Sequence, residues 1–405
     1  MISGSAVYQV LEAMAPLYTA AALGYASVRW LKAFSDEQCA GINHFVALYA
    51  VPVLIFHMVS TNDLYAMSGR LIAADTLQKL AILLSLVAPM LWARSRRHRD
   101  DDGTKAAPSL QLEWVVTAFS VASLPNTVIM GVPLLRGMYG EVSTTLLKSI
   151  VVMQFCFWYN VIIFLYEYME AMRAAATVTK EIISSPASPE KGDLMRVVII
   201  ETTDVTVASQ AQGSIVVQTN TTSVGKDKEA GTFGDVAKAP SVKHVLWMAV
   251  KKILRIPNTY ASILGLIWSL VAFKCGIKMP KVIDDSLFTI YSTAVGLSMF
   301  SSGTFIARQS QFIPCGYTIA SMSMLLKFLI GPVVMLIASL VVGMHGTLLH
   351  MAVVQAALPL AVTSFVYAEE YKVHADIMST GVIFGIFISL PVTIVYYILL
   401  GSWWN

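Results

Sequence analysis

Long apolar stretches separated by short polar breaks fill most of this chain, and their lengths approach the roughly 20 residues that cross a bilayer as a helix. Five fall near residues 7–29, 39–60, 71–93, 112–138 and 145–169, and five more near 257–274, 286–307, 314–343, 347–369 and 376–400. Between the two sets, residues 171–243 carry eight acidic and eight basic side chains among many Ser, Thr and Val, which is the pattern of a soluble loop. Inside that loop, 195–200 and 214–217 predict a small hairpin and 184–189 an irregular stretch. The expected fold is an all-α polytopic membrane protein with ten transmembrane helices. Residues 1–170 form one five-helix repeat, 171–243 a hydrophilic loop and 244–405 a second five-helix repeat. An odd number of spans per half inverts the second half relative to the first.

Two prolines interrupt this pattern at matching places in the halves: Pro125 in Ser123-Leu124-Pro125-Asn126-Thr127, and Pro359 in Ala357-Leu358-Pro359-Leu360-Ala361. Proline removes a backbone donor and clashes with the preceding turn, so spans four and nine are expected to break. Broken backbone at membrane depth persists only where it lines a cavity or is buried in protein. One broken helix in each half is the arrangement of a secondary transporter whose broken helices cross at the substrate site. Asn126 directly follows the first break. Its amide can donate to a carboxylate, or it can cap its own half-helix, whose positive end suits a small anion. Val362, Thr363 and Ser364 follow Pro359 and offer short hydroxyls and aliphatic surface, and no acidic residue lies at either break.

Composition sharpens the class. With 56% hydrophobic and 13% charged residues and a mean hydropathy of +0.66, the chain is too apolar for a soluble globular protein. The net charge of +3 points to no nucleic-acid partner. Cys39, Cys156, Cys275 and Cys315 follow no metal or disulfide spacing and read as small core residues. The N-terminus has no basic region or cleavage site, so the first span is expected to be retained. Arg94, Arg96, Arg97, Arg99 and Lys105, with Lys251, Lys252 and Arg255, share a face with the central loop. By the positive-inside rule that face is cytosolic, although Lys274, Lys278 and Lys281 oppose the assignment. A cytosolic loop predicts that the acceptor motif Asn220-Thr221-Thr222 stays unglycosylated.

Few ionisable residues fall within the spans: Glu12, Asp75, Lys79, Lys148 and Lys327. Asp75 and Lys79 are spaced i,i+4 on one helix face, where they can neutralise each other, exchange a proton, or snorkel from the helix end. Gln154 and Tyr159 put polar tips on an aromatic-rich segment, and Tyr159 can donate to a ligand, stack on it or simply pack. Pro52 kinks span two and leaves an apolar wall, with His57 placed for an interface or for proton coupling.

Several segments resemble the PIN-FORMED auxin efflux carriers of plants across all ten spans. They are Ala47-Leu48-Tyr49-Ala50-Val51-Pro52, Ser123-Leu124-Pro125-Asn126-Thr127, Gly131-Val132-Pro133-Leu134-Leu135, Met138-Tyr139-Gly140, residues 256–262 and Val366-Tyr367-Ala368-Glu369-Glu370-Tyr371. The resemblance implies a homodimer that exports indole-3-acetic acid and related aromatic carboxylates as anions by an elevator-like step. It implies that Asn126 meets the substrate carboxylate beside crossover prolines Pro125 and Pro359. Val51, Ile55, Tyr159, Val362 and Thr363 would line the pocket, and Asp75, Lys79 and Gln154 would form a supporting polar site. Ile55 stands where the pattern usually has Ser, and Leu360–Ser364 replaces a Gln-Gly-hydrophobic-hydrophobic-Pro stretch, differences that bear on ligand preference. The compact loop resembles that of short-loop members, implying residence in the endoplasmic reticulum membrane, with the plasma membrane second. The loop also offers serines to a kinase.

Three other readings compete with the carrier. A sodium- or proton-coupled symporter needs several oxygen ligands at the crossover, and the sequence supplies none that are acidic. A receptor or signalling scaffold would not require two breaks. An intramembrane enzyme lacks a metal or nucleophile motif, and no cofactor pattern is present.

Overall fold

A computed structural model of the chain describes residues 4–97, 108–184, 247 and 250–403. The predicted hairpin, the acceptor motif at Asn220 and the residues Arg99 and Lys105 lie outside the described residues. One compact unit comprises residues 1–173 and 240–405, and a second comprises 174–239.

Helices fill the apolar stretches, their ends apart, except at residues 124–126 and 357–361. Helix α1 is Gly4–Arg29. Helix α2 (Asp36–Phe45) opens with a capping box, in which the Ser35 hydroxyl accepts from Gln38 N–H and the Gln38 side chain accepts from Ser35 N–H. It continues through one π turn, Val46–Ala50, into α3 (Val51–Ser60). Helices α4 (Gly69–Arg97) and α5 (Pro108–Ser123) come next. A second π turn, Thr127–Gly131, leads into α6 (Val132–Tyr139). Helix α7 (Glu141–Met153) passes through a π turn at Gln154–Trp158 into α8 (Tyr159–Ser184). Then come α9 (Pro257–Cys275), α10 (Lys281–Arg308) and α11 (Tyr317–Leu325). A π turn at Leu326–Ile330 enters α12 (Gly331–Val341). Helices α13 (Gly346–Ala356), α14 (Val362–Glu370) and α15 (Ala375–Trp403) complete the chain.

Three of the four π turns run directly into an X-Pro step, at Pro52, Pro133 and Pro332. Proline cannot donate to the carbonyl four residues back, so the residue before it reaches one residue further: Val51, Val132 and Gly331 donate to Val46, Thr127 and Leu326. Each such turn fits one extra residue into the helix. Side chains beyond each turn therefore face about 100° away from where an unbroken α-helix would aim them.

Two packing groups emerge. Helices α1, α3, α9 and α10 pack chiefly on one another, while α4, α5, α12, α13, α14 and α15 form a second set of neighbours. Inside the first group α1 and α10 meet backbone to backbone. A Cβ added at Gly303 would lie 1.9 Å from the Ala21 carbonyl oxygen, so no larger residue fits there. Such close approach through small residues is how apolar helices associate where lipid removes the hydrophobic drive. Asp36–Ser60, Gly69–Trp92, Glu141–Arg173, Tyr317–Val341 and Ala375–Ser402 are each long and apolar enough to cross a membrane. Exposed Leu264, Ile267 and Val271 on α9 give that helix an apolar outer face suited to lipid.

Candidate functional site

Helix α5 ends at Ser123 and α13 at Ala356, each just before its proline, and the two non-helical stretches cross in the buried centre. There Pro125 and Leu360 form an antiparallel bridge. Asn126 N–H donates to the Pro359 carbonyl at 2.8 Å, and Ala361 N–H donates to the Leu124 carbonyl at 3.1 Å. Each break thus satisfies backbone groups that the other exposes, which an isolated broken helix in lipid could not do. The sequence predicts both breaks, and the structure adds the bond that joins them.

Asn126 sits at the start of the Thr127–Gly131 turn, with its carbonyl accepting from Gly131 N–H at 3.0 Å. Its side chain makes no capping bond. Asn126 is only 8% exposed, so a buried side-chain amide that caps nothing stands at the crossover.

A buried network backs this position. Gln154 Nε2 donates to the Pro125 carbonyl at 2.8 Å, and Thr127 Oγ1 donates to Gln154 Oε1 at 2.9 Å. Gln355 Nε2 donates to Thr127 Oγ1 at 3.1 Å, linking the helix before the second break to the turn after the first. Gln154 Nε2 also lies 3.4 Å from the Tyr159 hydroxyl. Residues five apart on an α-helix face about 140° from each other. The π turn between Gln154 and Tyr159 brings them together. The Tyr159 ring meets Phe155 at 5.0 Å and Tyr367 at 6.1 Å.

Asp75 and Lys79 form a buried ion pair on α4, each about 1% exposed, which rules out snorkelling. The Lys79 ammonium stands 5.7 Å from the Trp158 ring centroid, on the same π turn that begins with Gln154. Val51 is half-buried and Ile55 fully buried on α3. Among the described residues the hydrogen-bond network reaches Gln154 and Tyr159, but not Val51, Ile55, Val362 or Asp75. His57 lies elsewhere, stacked on Tyr291 at 4.2 Å, and Lys148 donates to Thr61 Oγ1 at 2.9 Å.

Sequence reasoning missed Gln355 and Trp158. A search for charged residues inside spans passes over an amide one turn before the break. It also missed a second polar cluster. Lys252 Nζ lies 3.0 Å from Glu167 and 3.2 Å from Glu370, and 4.1 Å over the Tyr371 ring. Tyr371 donates to Glu167 at 2.5 Å and stacks on Tyr166 at 4.7 Å. Burial alone would lower the Lys252 pKa, but the two carboxylates outweigh it and hold the ammonium above the ordinary lysine value. Burial, then the bond to Glu167, push the Tyr371 hydroxyl well above the ordinary tyrosine value.

Residues 9–397 match the membrane transport protein family. The chain is 68% identical over 428 residues to the probable auxin efflux carrier component 9 of Oryza sativa subsp. japonica, covering 99% of this chain and all of that protein. The chain belongs to the PIN-FORMED auxin efflux carrier family. It is 39% identical over 401 residues to auxin efflux carrier component 8 of Arabidopsis thaliana, again over 99% of this chain and all of the relative. Alignment with the probable component 1b of Oryza sativa subsp. japonica, at 33% identity, runs to 567 residues. Like component 8, this carrier is a compact member.

Proposed function

We propose that this carrier moves indole-3-acetic acid out of the cytosol as its anion, binding the carboxylate at the crossover through Asn126. The observation that carries the reading is a buried amide left uncapped where two broken helices meet. A carboxylate there would accept from the Asn126 side chain and gain from the positive end of the turn behind it. Val51, Ile55, Tyr159, Val362 and Thr363 supply the apolar and aromatic wall. Asp75, Lys79 and Gln154 act behind it, Gln154 through its bonds to Pro125 and Thr127.

Ten spans arranged as inverted five-helix repeats, with the fourth and ninth crossed, account for the matched breaks. The two packing groups support an elevator step, in which α1, α3, α9 and α10 stay fixed, forming the homodimer contact, while the crossover-bearing set moves. Charge supplies the drive: one charge crossing about 100 mV gains about 2.3 kcal/mol, roughly a fiftyfold gradient, without a coupling ion. The short loop supports residence in the endoplasmic reticulum membrane, with the loop cytosolic, open to a kinase, and the N-terminus lumenal.

The test is efflux of radiolabelled indole-3-acetic acid from vesicles holding equal amounts of wild type and Asn126→Ala. Wild-type efflux that is lost in the variant supports the reading. Equal efflux from both removes Asn126 from the site.

A further inference from the structure

Lys327 is 1% exposed, and its ammonium has no hydrogen-bond partner among the described residues. A buried cation without a partner is one of the most costly arrangements a fold can hold, and in a membrane-spanning segment it marks function rather than packing. Its position is equally specific. Lys327 lies on the π turn Leu326–Ile330, which packs against α5, the helix that ends at the first break. One turn on, a Cβ at Gly331 would meet the Ala122 carbonyl oxygen at 2.7 Å, so the backbone beyond Lys327 abuts the residues just before Pro125. On the other side, Gln78 Nε2 donates to the Gly331 carbonyl at 2.9 Å, bringing α4 and its Asp75–Lys79 pair alongside.

Lys327 and the Asp75–Lys79 pair thus lie on neighbouring segments, α4 and the turn before α12, beside the helix that leads into the first break. Asp75 and Lys79 cancel, and the second Asp75 oxygen is itself without a partner among the described residues. Any positive charge that Lys327 carries is therefore balanced by no hydrogen-bonded side chain among the described residues.

We propose that Lys327 is the internal counter-charge for the transported anion. It acts through the electrostatic field on a carboxylate held at Asn126, so that the crossover accepts organic monoanions in preference to neutral molecules of the same shape. This role rests on the carrier reading above. In this role the Lys327 charge is balanced when the anion is bound. Lys327 is a positioning and selectivity residue, since nothing requires it to touch the ligand.

The experiment compares purified wild type, Lys327→Met and Lys327→Arg in lipid nanodiscs. It measures indole-3-acetate affinity, affinity for the neutral indole-3-acetamide, and substrate-free melting temperature. A unit charge acting over a distance on the order of 10 Å at an effective dielectric of about 20 changes binding by a factor of about ten, so Lys327→Met is expected to weaken anion binding by about that factor. Amide binding stays level, and Lys327→Arg keeps anion affinity within about threefold. Because the ammonium has no partner, the methionine variant melts at or above the wild-type temperature, whereas a structural lysine would lower it. Unchanged anion affinity, or a melting temperature that falls in Lys327→Met, overturns the assignment. Wild type that fails to bind indole-3-acetate refutes the carrier reading first, and this role with it.

Discussion

Replacing Gln154 with Leu keeps the volume of the side chain but removes the amide that ties Pro125, Thr127 and Tyr159 together. Counting lost bonds naively overstates the damage. The Pro125 carbonyl also accepts from Thr127 N–H at 2.9 Å, and the Thr127 hydroxyl can turn back to that carbonyl, 3.4 Å away. The contact to Tyr159 is long at 3.4 Å and contributes little. Two good bonds are lost while the Pro125 carbonyl and the Thr127 hydroxyl keep other partners, so the expected cost is about 2 kcal/mol, below the up to about 6 kcal/mol that two fully abandoned buried partners can cost. Gln355 converges on the same Thr127 oxygen. Gln355→Leu should therefore couple to Gln154→Leu by about 0.5–1 kcal/mol in a double-mutant cycle. Thermal unfolding of the four purified proteins reads the stability term, and indole-3-acetic acid transport reads the crossover geometry. Additive variants that melt and transport like wild type would refute the claim that this network sets the crossover.

Asn126→Ala should abolish transport yet melt within a degree or so of wild type, because the side chain caps nothing; a large fall in melting temperature would make it structural instead. Gly303→Ala should push α1 and α10 apart and cost more than about 3 kcal/mol, since the obstacle is the Ala21 backbone rather than a side chain that can turn away; size-exclusion chromatography of a well-folded variant would contradict this. Lys252 and Tyr371 both have folded-state pKa values raised above their unfolded values, so the stability they add is complete below the unfolded pKa and is lost as pH rises through the folded one. Melting temperature should hold to about pH 9 and decline above about pH 10, with a smaller decline in Lys252→Met; identical curves would show that the cluster does not govern the alkaline limb.

Legibility from the residues divides along physical lines. Proline at 125 and 359 announces itself, because a missing donor is a property of the residue and not of its surroundings. The same holds for Asn126, placed by its position after the break, and for the i,i+4 pair Asp75 and Lys79. Neither the mutual bonds of the two breaks nor the role of Gln355 is local: both depend on segments more than 200 residues apart meeting. The π turns were hidden for a different reason. One extra residue in a long apolar run leaves hydropathy unchanged while re-aiming every side chain beyond it. For that reason Gln154 and Tyr159, on different faces of an ideal helix, end up in contact. The Lys252 cluster escaped notice because its partners sit at span ends, where charged residues are ordinary.

The central claim is that the crossover carries an organic anion driven by membrane potential alone. Its most direct measurement is uptake of radiolabelled indole-3-acetic acid into proteoliposomes under an imposed potassium diffusion potential, with and without sodium and pH gradients. Uptake should accelerate when the interior is positive, be indifferent to sodium and to the pH gradient, and disappear in Asn126→Ala. Uptake that ignores the potential and needs a sodium or proton gradient would contradict it.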